Sequence, residues 1–122
     1  REYAKMPYDR DILVRLIVKK EAASFDYQSV RNTQTDFPVL TCAAAKTEAG
    51  YQFAIGARPG KAVLFELSNE DMKDKNVENI AEYAAKCVKE QIVTGSNTRG
   101  SAEYRNHLAG VLVRRAVCKL GE

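Results

Sequence analysis

Four features of this chain could do chemistry: a histidine, three cysteines, a glycine-flanked basic turn, and a polar loop carrying an arginine and an aspartate. His107 is the single histidine. It lies inside a helical pattern with no serine or cysteine spaced to pair with it, which reads as a surface or interface residue and not as a base. Cys42, Cys87 and Cys118 are an odd number with no C-x-x-C spacing and no paired histidines. That pattern suggests neither a disulfide framework nor a zinc or iron–sulfur site, and apolar neighbours point to buried, reduced thiols. The turn GARPGK, residues 56–61, has the wrong glycine spacing for a phosphate cradle. It reads as a connection between strands, with Arg58 and Lys61 as minor candidates for an anion. Residues 31–36, RNTQTD, interrupt two hydrophobic stretches. Binding groups tend to sit on loops held by a rigid scaffold, so this loop is the best local candidate for ligand contact, against the plainer reading of a solvated connection. The chain has no self-contained catalytic site and no metal-ligand set.

The elements that must position these residues are legible from hydrophobic pattern. Residues 11–20, DILVRLIVKK, are β-branched and alternate, predicting a strand with one face buried and the other partly covered. Residues 25–31 predict a second strand. Residues 37–48 predict a third, whose Ala43, Ala44 and Ala45 leave space for something large above them, and Pro38 marks its start or an edge. Ala49 and Gly50 turn the chain into residues 51–57, which pair back as a hairpin. Residues 61–67 alternate enough for a further strand, with a helical start as the alternative, and residues 68–76 predict a charged surface loop with room for one helical turn.

Val77, Ile80, Ala81, Ala84, Val88 and Ile92 recur at helical spacing behind an Asn76 cap, with Gly95 beyond the end. A second helix starts at the Ser101 cap, with Glu103 in its first turn and Arg114, Arg115 and Lys119 near its end. Tyr104, Leu108, Val111, Leu112 and Ala116 make one stripe, and Ala109, Val113, Val117 and Leu120 make another. An apolar surface that wide predicts a helix wedged between the sheet and another helix or another polypeptide. Strands first and helices last predict an α+β fold with helices on one face of an antiparallel sheet.

The 122 residues suit one domain with one modest core. Hydrophobic content of 45%, charged content of 29% and a formal charge of +3 are ordinary for a soluble chain. No apolar run is long enough to span a bilayer and no signal-peptide core is present, so a cytoplasmic location is expected. The interspersed charges do not favour nucleic acid.

Asn97, Gly100, Ser101, Ala102, Glu103, Tyr104 and Arg105, followed by Leu108, Leu112, Arg115 and Ala116, resemble the closing helix of the FAD-binding subunit of molybdenum hydroxylases. That family includes xanthine dehydrogenases and carbon monoxide dehydrogenases. The resemblance runs in order through ILVRLIVKK, YQSVRNTQTDFPVL, the alanine-rich strand, the hairpin and the GARP turn. It implies the carbon monoxide dehydrogenase flavoprotein C-terminal-domain fold: about four antiparallel strands with about three helices on one face. It also implies a single domain over 1–122 that is non-catalytic, covers the flavin and forms subunit contacts. The FAD would be held mainly by an absent domain or partner chain, with none bound tightly to this chain alone. Carried over by position, the cofactor-facing residues are Gln28, Arg31, Thr35 and Asp36; Gln28 stands where members often carry Lys. The implied partners are an FAD-binding domain or subunit and the iron–sulfur and molybdenum-cofactor subunits, with self-association of the isolated chain left open. The alternative is a stand-alone binding module in which Arg99, Arg105, Arg114, Arg115 and Lys119 present a basic helix face to an acidic partner or nucleic acid.

Overall fold

The computed structural model describes residues 14–18, 20 and 23–121. Their order is β1 (Ser24–Val30), β2 (Leu40–Thr47), β3 (Gly50–Gly56), β4 (Val63–Ser68), α1 (Val77–Gln91) and α2 (Ala102–Gly121). The four strands form one antiparallel sheet in sequential order, each paired with its chain neighbour. Gly50 closes the β2–β3 turn with φ +137, and a Cβ built on it would lie 2.1 Å from the Leu67 carbonyl oxygen. Only glycine fits both that backbone and that approach.

Alternation decides which side of the sheet is covered. Leu40, Cys42 and Ala44 on β2, Tyr51, Phe53 and Ile55 on β3, and Phe65 and Leu67 on β4 are buried together beneath the helices. The Phe53 ring stacks between its neighbours, 6.1 Å from Tyr51 and 5.6 Å from Phe65. Helix α2 lies across β1, β2 and β3, and α1 packs along α2. Both apolar stripes of α2 are therefore used: Leu108, Ala109, Leu112, Val113, Ala116 and Val117 are all buried. At Gly110 the two helices approach so closely that an added Cβ would meet the Lys89 side chain and, at 3.2 Å, the Ala85 carbonyl oxygen.

Both caps are in place. Asn76 Oδ1 accepts from the Asn79 amide at 2.8 Å, and Ser101 Oγ accepts from the Tyr104 amide at 3.1 Å. Three expectations change. The described residues contain two helices against about three expected. Tyr104 is 45% exposed, because only the stripe beginning at Arg105 and Leu108 descends onto the sheet. Within the strand expected over 11–20, residues 11–13 and 19 lie outside the described residues, whereas 14–18 and 20 are exposed and join no ladder.

Candidate functional site

The β1–β2 connection lies at one end of the sheet, and two short-range bonds brace it. Arg31 Nη1 donates to the Asp36 carbonyl oxygen at 2.6 Å, spanning the loop, and the Asp36 amide donates to the Thr33 carbonyl oxygen at 3.3 Å. Asp36 Oδ1 also accepts from the Phe37 amide at 2.7 Å, a local contact at the end of the loop.

The same carboxylate oxygen receives Arg99 from a distant loop, Nε at 3.0 Å and Nη2 at 2.9 Å. Asn32 Nδ2 donates back to the Arg99 carbonyl oxygen at 3.1 Å, and the Arg99 guanidinium lies over the Phe37 ring, 5.3 Å from its centroid. Arg99's hydrogen bonds, and next the Phe37 amide, hold the Asp36 carboxyl below the usual 3.8, so it is ionised at neutral pH. The two loops meet as a latch of one carboxylate, one guanidinium and one aromatic ring.

Beneath this latch lies Arg105, which is fully buried. Its Nε donates to the Val39 carbonyl oxygen at 2.8 Å, Nη1 to the Gly95 carbonyl oxygen at 2.8 Å and to the Gly100 carbonyl oxygen, and Nη2 to Asn97 Oδ1 at 2.5 Å. Burial, then the neighbouring Arg99 charge, pull its pKa below the ordinary arginine value. Four acceptors compensate the buried cation and tie α2, the 95–101 loop and the start of β2 into one unit. A corresponding joint fixes the other end of α2. Asp26 on β1 accepts from Lys119 Nζ at 2.5 Å and from Gln28 Nε2 at 2.7 Å. The bond from Lys119, followed by that from Gln28, lowers the Asp26 pKa.

Of the four residues expected at the site, the structure brings three to the loop. Arg31, Thr35 and Asp36 are there; Gln28 lies within β1, spaced from Asp26 so as to face the helix side, where it supports that carboxylate. Thr35 is exposed. Arg99 and Phe37 complete the latch, and Arg105 and Asn97 support it. Arg105 had a legible signal: it shares helical spacing with Leu108, Leu112 and Ala116 and so falls on the buried stripe, not on a basic face. Of the proposed basic face, Arg115 stays exposed, and the other four residues are buried or paired. Arg105 is buried, Arg99 is engaged by Asp36, Arg114 pairs with Glu82 at 2.7 Å, and Lys119 pairs with Asp26.

The cysteines are free, with Cys42 buried and Cys87 and Cys118 half-buried. Burial, with a smaller contribution from Asp26, pushes the Cys42 thiol up to about 12, which makes it inert. Among the described residues no cluster of His, Cys, Asp and Glu could hold a metal ion, and no helix is long and apolar enough to cross a membrane. The latch has an exposed aromatic ring and arginine edges, and its carboxylate is already engaged. Among the described residues, this donor set forms no enclosed cradle.

Comparison with known proteins extends this picture. The family model for the CO dehydrogenase flavoprotein C-terminal domain matches residues 25–120. No curated protein sequence matches the chain. Among solved structures, quinoline 2-oxidoreductase from Pseudomonas putida 86 is 20% identical with a TM-score of 0.66, over 83% of this chain and 38% of that one. Reconstituted CO dehydrogenase from Oligotropha carboxidovorans is 19% identical with a TM-score of 0.65, over 85% of this chain and 38% of that one. CO dehydrogenase from Hydrogenophaga pseudoflava, in a form lacking the Mo-pyranopterin moiety, is 16% identical with a TM-score of 0.60, over 84% and 38%. At these identities the likeness establishes the shared fold, and the chain covers 38% of the length of each of these three chains.

Proposed function

Because the chain belongs to the CO dehydrogenase flavoprotein C-terminal domain family, we propose that it is the non-catalytic domain that closes over the flavin of a xanthine dehydrogenase-like molybdenum hydroxylase. In this reading it forms a wall and subunit contacts within an assembly that passes electrons from iron–sulfur clusters to FAD. The FAD is held mainly by another domain or a partner chain, and the iron–sulfur and molybdenum-cofactor subunits lie beyond it. When bound, the flavin supplies the redox chemistry.

This chain's own residues do the positioning. Arg31 and Asp36 fix the loop, Arg99 holds it against the 95–101 segment, and Thr35 and Phe37 remain at its exposed surface. The observation that carries the reading is the latch. A polar loop is tied through Asn32 and Asp36 to Arg99 of the 95–101 segment while its outer side is left open, an arrangement suited to shielding a neighbouring group from water.

Affinity purification of the tagged chain from its native cells tests the reading. The expected outcome is co-purification of an identified polypeptide that carries FAD, recognised by its flavin absorbance. If every recovered partner is flavin-free, including after co-expression with the FAD subunit encoded nearest to it, the reading fails.

A further inference from the structure

The sheet has a second face, and its side chains are graded by size. The register aligns Tyr27, Ala43, Ala54 and Leu64 in one row and Phe25, Ala45, Gln52 and Glu66 in the next. The edge strands carry the large groups, with Phe25 71% exposed, Tyr27 62% and Leu64 72%. The central strands contribute only alanine to the apolar part of the floor. On this face β2 carries Ala43 and Ala45 at its centre, flanked by Thr41 and Thr47.

The result is an apolar trough running along β2 and β3 between raised walls on β1 and β4. Three strand spacings separate the walls, about 14 Å, which accommodates one helix about 10 Å across. A second sheet laid here would leave voids over the alanines, because large side chains stand only on the outer strands. Gln52 and Glu66, hydrogen-bonded at 3.1 Å, make one end of the floor polar and acidic. Val14, Leu16, Ile17 and Val18, which precede β1 in the chain, are exposed as well.

We propose that this trough seats one amphipathic helix of the polypeptide that holds the flavin. Its small-residue stripe lies on Ala43, Ala45 and Ala54, and a basic side chain lies over Glu66. The choice of partner rests on the function proposed above and on the shared fold, which in its solved examples makes up 38% of a longer chain.

The experiment uses the full chain and the FAD-carrying polypeptide recovered with it. Ala54→Leu fills the floor, Leu64→Asp charges a wall, and Tyr104→Asp, on an exposed turn of α2, is the control. Binding is followed by calorimetry, folding by circular dichroism and self-association by sedimentation. The expected result is an affinity loss of tenfold or more for Ala54→Leu and Leu64→Asp, no loss for Tyr104→Asp, and unchanged circular dichroism for all three. If both trough variants bind as tightly as the wild type, the docking face is wrong while the functional reading stands. If the wild-type chain binds no FAD-carrying polypeptide, the reading fails and the assigned partner fails with it. A concentration-dependent dimer of the wild type that Ala54→Leu abolishes would give the trough to a second copy and overturn the proposal. Leu64→Asp, at an exposed position, keeps the test decisive if Ala54→Leu does not fold.

Discussion

Arg99 and Arg105 lie six residues apart at the same end of the sheet and do opposite work. Arg105 is fully buried and spends its donors on carbonyl and amide oxygens of the chain's own backbone and of Asn97. Arg99, with a side chain 32% exposed, pairs with a single carboxylate oxygen at the surface. The difference shows how one loop cluster can be both fixed and adaptable. The interior arginine sets where the loops are, and the outer one sets how the 31–37 connection lies upon them. A buried donor has no water to replace its partners, whereas an exposed ion pair exchanges with solvent at little cost.

The sharpest test of this contrast is Arg105→Met. It keeps much of the apolar stem but leaves the Val39, Gly95 and Gly100 carbonyl oxygens short of a donor, and urea unfolding is expected to show a loss of about 3 kcal/mol. Arg105→Lys cannot reach all four acceptors and recovers only part of that stability. A near-neutral result for Arg105→Met would mean that water reaches the site.

Acid unfolding gives the next largest effect. The folded-state pKa values of Asp26 and Asp36 are lowered, so their contributions are fully present above 3.8, the unfolded-state value, and are lost as pH falls through the folded-state values. The stability curve is expected to fall on the acid side of 3.8, and Asp26→Asn should flatten that fall. An unchanged acid limb would show that the Lys119 joint contributes nothing. Gly110→Val probes the helix crossing that carries Arg105, with an expected loss of about 1–3 kcal/mol as the added methyls push on Lys89 and the Ala85 carbonyl.

Arg99→Ala is expected to do least to global stability. Its signature is local: faster amide hydrogen exchange at Asp36 and Phe37, with an unfolding midpoint close to that of the wild type. If Arg99→Ala lowered the midpoint as much as Arg105→Met, the two arginines would be one structural unit and the contrast would collapse.

Much of this fold was legible because its elements are locally consistent. The β2–β3 hairpin follows from alternation around Ala49 and Gly50, α1 from its stripe behind Asn76, and α2 from two stripes behind Ser101. What was not legible depends on tertiary context. Nothing in DILVRLIVKK says that residues 14–18 find no strand partner within this sheet. Positional carry-over put Gln28 at the loop, although a spacing of two from Asp26 places it on the same side of β1 as that buried carboxylate. Arg99 and Arg105 looked alike as cations; only the helical phase of Arg105 with Leu108 and Leu112 distinguishes them. The latch needs a contact between residues 63 positions apart, which local patterning does not encode.

Iodide quenching of flavin fluorescence tests the central claim most directly, measured on the FAD-carrying polypeptide alone, with the wild-type chain, and with the Arg99→Ala variant. The wild-type chain is expected to protect the flavin from quenching, and Arg99→Ala, still folded and bound, to protect it less. Equal quenching with and without the wild-type chain, under conditions where the two demonstrably bind, would contradict it.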